Sequence, residues 1–430
     1  MTPEGWTRRR LADVATYRAG RTPARATAAF WAEADGGVPW VAISDMTQFG
    51  EVARTKEKIS QQAFDSVFRR RAVPAGTLLM SFKLTIGRVA TLGVDACHNE
   101  AIIAIYPKPG IDQRFLGYFL SRVDYDALQD RQIKGNTLNQ EKLDRIEIQL
   151  PPPTEQTQIA DILDLIRKAV GIQDRAIEIA VELKRAAMQS LFTGGLRSET
   201  QKETEIGLVP KSWDVVEFGT VREWLQYGTS SHCTYEPTGF PVLRIPNITP
   251  GRVNGQDIKF GSLRPAEAAR YRLKEGDLIF IRTNGVIERL GACAVYSGEP
   301  EGALFASYLI RARLKLDRIA PHFAAYFFAS ELGTRLVTGR ATPASDGKYN
   351  LNTGTIDSLP IPLPPTLDEQ REIVATLDAI DCKIDLHRRK RALLEDLFEA
   401  LLHLLMSGEL RVDQLSLSVL SLAEPKDVAA

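Results

Sequence analysis

The chain has 430 residues, 44% hydrophobic and 25% charged, a composition of ordinary globular domains with length for two to four of them. Its 54 Lys and Arg offset 54 Asp and Glu, so no overall positive field marks it as a nucleic-acid binder. No apolar run approaches the ~20 residues of a membrane span, and MTPEGWTRRRLADVATY lacks the apolar centre of a signal peptide.

The charge is uneven along the chain. Residues 1–150 hold 21 Lys and Arg against 17 Asp and Glu, and residues 363–430 hold 8 against 13. Mildly basic globular parts permit DNA binding through local patches. The first globular segment, 1–150, opens with Pro3, Gly5 and Trp6, then a short helix or turn over 11–20 closed by Gly20. Strand patterns follow at PWVAISDM (39–46), PAGTLLMSFK (74–83) and 101–106. A helix rich in Phe, Tyr and Leu is expected at about 113–130, and an exit strand at 146–150 follows GNTLN (135–139).

Residues 151–197 then read as a spacer helix, entered through Pro151, Pro152 and Pro153 and ending near Gly194. The second globular segment, 198–362, returns to the landmarks of the first. It has Trp213 for Trp6, PVLRIPNI (241–248), KEGDLIFIRT (274–283), a strand at 307–314, a helix at about 320–338, KYNLN (348–352) and an exit strand at 359–363. A second spacer helix occupies 363–411, and 412–430 is expected to be a disordered tail. The two helices are copies of one another: residues 155–197 meet residues 369–411 without a gap, 214 positions later, with 13 identical pairs.

Alternate steps of four and three from Ile159 to Leu191 give eight apolar positions in ten, and the same frame from Ile373 to Leu405 gives eight again. Two such seams most simply bury each other as a coiled coil, each helix about 36 residues or roughly 54 Å long. The expected class is α+β: two similar α/β domains joined by two long antiparallel coiled-coil helices, a pseudo-twofold internal repeat. Gln173 and His387 are equivalent polar positions within the seams, where polar groups either fix register or remain solvated.

The pieces GLVPKSW (207–213), IQLPPPTEQTQI (148–159), IPLPPTLDEQREI (361–373), LIFIRTNG (278–285) and the helix ends LFTGGLR and LMSGELR resemble the specificity subunit of type I restriction-modification enzymes. The resemblance spans nearly the whole chain, from Trp6 to Arg411. It implies two target-recognition domains, each reading one half of a bipartite site in double-stranded DNA. It also implies two modification (methyltransferase) subunits held on the helices, with restriction (translocase and nuclease) subunits joining the assembly. S-adenosylmethionine, ATP and Mg2+ would then be used by those other subunits, with no cofactor in this chain.

Base reading needs Arg, Lys, Asn or Gln on loops beside strand ends. In the first domain these are Arg21, Lys83, Arg88, Lys134 and Asn136; in the second, Arg244, Asn247, Arg282, Asn284, Lys348 and Tyr349. Glu155, Gln156, Arg197, Glu369, Gln370 and Arg411 mark the helix ends. They are candidates for partner-subunit contact, although carboxylates in a first helical turn also offset the macrodipole. Trp6 and Trp213 fit core anchors better than base-stacking residues. Neither an Asn/Asp-Pro-Pro-aromatic element for a flipped base nor a phosphate loop ending in Gly-Lys-Ser/Thr occurs. The five histidines and four cysteines (Cys97, Cys233, Cys293, Cys382) show no metal spacing, which suits reduced thiols in a cytoplasmic protein. No catalytic or metal residue is therefore expected. The competing readings are a coiled-coil adaptor that binds protein, and a methyltransferase or nuclease with an unrecognised site.

Overall fold

The computed structural model describes residues 3–32, 36–127 and 138–415. Contacts divide the chain into two compact units, Met1–Ile172 with Lys390–Ala430, and Gln173–Arg389. Each unit thus combines one globular domain with the first half of one long helix and the second half of the other.

In the first unit a five-stranded sheet runs in the order Ala15–Ala19, Ile102–Pro107, Leu78–Ser81, Val89–Leu92, Gly50–Val52. All its pairings are antiparallel except the last. The apolar runs LLM and IIAI are buried on both faces, and side chains alternate between two cores. Leu78, Met80, Ile103 and Ile105 face one cluster, whereas Leu79, Ile102 and Ala104 face another. The expected helix at 11–20 is only Leu11–Val14, because Ala15–Ala19 is drawn into the sheet against Ile103–Pro107. The helix expected at about 113–130 is Gln113–Ser121, and positions 128–137 lie outside the described residues.

The second unit repeats this plan with a larger, six-stranded sheet containing Arg222–Tyr227, Leu309–Leu314, Leu278–Ile281 and Cys293–Val295 in that order. Leu278, Phe280 and Ile310 enter one core and Ile279, Ile281 and Leu309 the other. Its expected 320–338 helix is two, Pro321–Ala329 and Glu331–Thr338, divided where the Ser330 hydroxyl accepts from the Gly333 amide at 3.1 Å. A hairpin, Gln201–Thr204 with Gly207–Pro210, has no landmark in the first domain's sequence.

Both long helices exceed the expected 36 residues. Pro153–Gly194 has 42 and Leu367–Ser407 has 41, about 63 Å for the former at 1.5 Å per residue. Within each unit they pair antiparallel. In the second, Gln173 meets His387 (Oε1 to Nδ1, 2.8 Å), Lys184 meets Asp381 (2.7 Å), and Phe192 shares a core with Ile373 and Leu377. Of the two readings for Gln173 and His387, pairing inside the seam is the observed one. In the first unit Ile159, Leu163 and Ile166 pack with Phe398, Leu402 and Leu405. Residues 412–415, assigned by sequence to the tail, instead close this core: Val412–Gln414 is a 3-10 turn and Val412 is buried. The rest of the expected tail, 416–430, lies outside the described residues.

Candidate nucleic-acid interface

Each domain is fastened to a long helix by the same joint. The Gln156 side chain, buried in the helix's first turn, accepts from the Asp112 amide at 2.9 Å and donates to the Pro151 carbonyl at 2.9 Å. Its repeat counterpart Gln370 accepts from the Ala320 amide at 2.8 Å and donates to the Arg318 carbonyl at 3.0 Å. Asp112 and Ala320 are the N-caps of Gln113–Ser121 and Pro321–Ala329, so each glutamine ties a long helix to the start of a domain helix. Trp6 and Trp213, both buried, donate their indole N–H to Glu155 (3.2 Å) and Glu369 (3.0 Å). Tyr118 and Tyr326 hydroxyls donate to Asp164 (2.5 Å) and Asp378 (2.6 Å), again repeat partners.

These contacts correct the partner-subunit assignment of Gln156 and Gln370, whose side chains are 0% and 1% exposed as residues and have no face to offer. Glu155 likewise turns inward, held by a bidentate Arg411 (2.7 and 2.9 Å) that also donates to the Glu4 carbonyl at 2.9 Å. Glu369 is engaged by Trp213. Arg197, the counterpart of Arg411, is exposed.

Among the described residues, each domain has a corner built on a glycine where loops expected to read bases begin. Gly20 and Gly228 pass so close to the carbonyls of His98 and Asn99, and of Phe305 and Ala306, that an added Cβ would lie 1.9–2.4 Å from them; any other residue would push the loop away. In the second domain Arg282 follows the strand Leu278–Ile281. Its guanidinium lies 4.9 Å from the Tyr227 ring centroid and donates to the Ser307 carbonyl at 3.3 Å. Asn284 and Tyr349 are cross-strand partners in a three-stranded sheet, with Lys348 exposed beside them and paired to Asp346 at 2.8 Å. The structure therefore brings Arg282, Asn284, Lys348 and Tyr349 together and adds two residues that sequence reasoning missed, Tyr227 and the exposed Tyr308. An aromatic at a strand end was the available signal, but burial decides its role.

Other candidates change status. Asn247 is fully buried: its Oδ1 accepts from the Arg244 amide at 2.8 Å and its Nδ2 donates to the Asn254 and Gln256 carbonyls. Asp45 makes the same turn in the first domain, accepting from the Ala42 amide at 2.9 Å. Asn247 is thus a turn-forming residue and is withdrawn as a base reader. Arg88 is half-buried, and its Nη1 donates to the Ile43 and Met46 carbonyls at 3.1 and 3.2 Å. Arg21 is exposed and donates to the Val67 carbonyl at 2.8 Å.

Lys83 sits beside Leu84, which is exposed and in the left-handed region at φ 65°. Glu100 lies near by. Burial raises its carboxyl, but the Thr22 hydroxyl bond together with Lys83 and Arg25 outweighs this and leaves it below its usual range. Arg25, also missed, stacks over Trp31 at 3.9 Å. Lys134 and Asn136 lie outside the described residues.

No group of three or more potential metal ligands occurs among the described residues, and no described helix is long and apolar enough to cross a membrane.

The type I restriction modification DNA specificity domain model matches residues 3–183 and again 210–396, and the chain belongs to this family. The specificity subunit of the type I restriction enzyme MjaVIII of Methanocaldococcus jannaschii is 24% identical over 96% of this chain and 95% of its own length. The EcoKI specificity subunit of Escherichia coli is 28% identical, over 57% of this chain and 53% of that subunit. Among solved structures, a chain from the work on complex assembly and conformational transition of a type I restriction-modification system superposes with a TM-score of 0.58. It is 18% identical, over 95% of this chain and all of that one. The system's S subunit from M. genitalium superposes at 0.52 and 14% identity, over 93% of this chain and 96% of its own. These two likenesses are of fold.

Proposed function

We propose that the chain is the DNA-reading subunit of a type I restriction-modification complex, each domain reading one half of a bipartite site while the helices set the unread length between them. The supporting observation is the repeat carried through to the joints: two domains built alike, fixed by equivalent glutamines to equivalent helices, but with different residues at their loop corners. Base contacts specify sequence, so different corners on one scaffold suit two different half-sites. Chemistry is assigned to other subunits, which would use S-adenosylmethionine, ATP and Mg2+. A cytoplasmic location follows from that role.

Replacing Arg282 by alanine should weaken discrimination at one position of one half-site by roughly 1–3 kcal/mol, as for a lost base contact. Binding-site selection from random duplexes reads this directly. Equal weakening on every sequence would make Arg282 a phosphate contact instead.

The helices also carry matched faces for two copies of one partner. Ile179 and Leu183 on the first helix are 58% and 56% exposed. Their repeat counterparts Leu393 and Leu397 on the second are 68% and 43% exposed. Residues four apart share a helix face, so each unit presents one such apolar pair, suited to a modification subunit's own helix. Ile179→Asp with Leu183→Asp should reduce the bound modification subunits from two to one in native mass spectrometry. Retention of two would contradict this docking.

A further inference from the structure

The two loop corners differ in a way that the strand registers make exact to the residue. Leu243 lies beside Phe305 as Val41 lies beside His98, and Ile281 pairs with Leu309 as Ser81 pairs with Ile102. Arg244, Arg282 and Tyr308 of the second domain consequently stand where the first has Ala42, Phe82 and Ala101. The second corner has gained two guanidinium groups and a phenol on the same backbone.

Of these three, Arg244 and Tyr308 border an open cleft of about 400 Å³. Thr229, Ser230, Ser231 and Ser307 supply hydroxyls to its wall, Arg244 and Lys259 supply two positive charges, and no carboxylate lines it among the described residues. Arg244 is already held in place, its Nη2 donating to the Asp257 carbonyl at 2.7 Å and carboxylate at 3.0 Å. Its buried Nε has no hydrogen-bond partner among the described residues. Such an atom carries a desolvation cost that a bound acceptor would remove. Burial raises the Cys233 thiol in the cleft, while Arg244 and Lys259 pull it the other way. Tyr308, 54% exposed, stands at the rim with its backbone carbonyl accepting from the Arg282 amide at 3.0 Å.

Two fixed cations, several hydroxyls and an unpaired N–H suit an anion with multiple acceptor oxygens. We infer that this cleft seats one backbone phosphodiester of the half-site read by the second domain, gripped by Arg244 and Lys259, and leaves base reading to other residues of the corner. The inference rests on the DNA-reading role proposed above and assigns a division of labour within it, phosphate contacts positioning and base contacts specifying. The first domain, with Ala42 at the corresponding place, has no arginine from that position to offer.

The test uses the full-length chain in its modification complex, a duplex carrying the selected bipartite site, and an unrelated duplex of the same length. Lys259 forms no ion pair among the described residues, so Lys259→Gln breaks none, and Arg244→Gln is its companion. For Lys259→Gln, affinity should fall by a similar factor on both duplexes, and the slope of log K against log salt should shrink by about 0.9, the value for one lost phosphate contact. Site preference should stay as in the parent. An unchanged slope and affinity, or a loss confined to one base position, overturns the phosphate seat while leaving the DNA-reading role intact. A parent complex that prefers no duplex overturns both.

Discussion

Inserting four residues into the first long helix beside Gln173 should change the preferred gap between half-sites or abolish specific binding. Four residues add one turn, about 6 Å of rise, close to two base-pair steps at roughly 3.4 Å each. They also break the antiparallel seam, because the Gln173–His387 contact at 2.8 Å and the Lys184–Asp381 pair at 2.7 Å cannot both keep their register when one helix is lengthened alone. A matching insertion at His387 restores equal lengths. The double variant should recover binding on sites whose gap is longer by about two base pairs. Methylation mapping of cells carrying each variant supplies the readout, and an unchanged motif in the single variant would refute the spacer role.

Phe192→Ala should destabilise the second unit by about 3–5 kcal/mol, the usual cost of removing a buried aromatic. The Phe192 ring lies 5.5 Å from both Phe323 and Phe327 and shares their core with Trp213. It is the place where the first long helix enters the domain's interior, so its loss leaves a void on the helix side of that core. Chemical denaturation followed by near-ultraviolet circular dichroism measures the change. A shift below about 1 kcal/mol would mean that this junction contributes little to the unit.

Most of the architecture was legible because it rests on periodicity. The 3.5-residue seams required no knowledge of tertiary contacts, and Pro153 marked a helix start where its missing amide costs nothing. The extra length of the helices was less visible, since it lies in first turns, 153–158 and 367–372, that are almost wholly polar and precede the seams starting at Ile159 and Ile373.

The sites were harder to read, for a physical reason. Arg, Asn and Gln at strand ends are equally suited to bases and to backbone groups of the same protein. Asn247 turns to carbonyls inside the fold, and only its burial reveals it. One clue for Asn247 was present: Asp45 fills the matching place, and a carboxylate shares with the Asn side chain an oxygen that can accept from the turn amide. For Gln156 and Gln370 the repeat signalled importance but not direction. Their identity in both copies reflects a joint made twice.

The most direct test is to map methylated sites across the genome of cells expressing this chain with its modification subunit. The account predicts one motif of two short, different half-sites separated by a gap of fixed length and unrestricted sequence. A continuous motif, or half-sites whose separation varies from locus to locus, would contradict it.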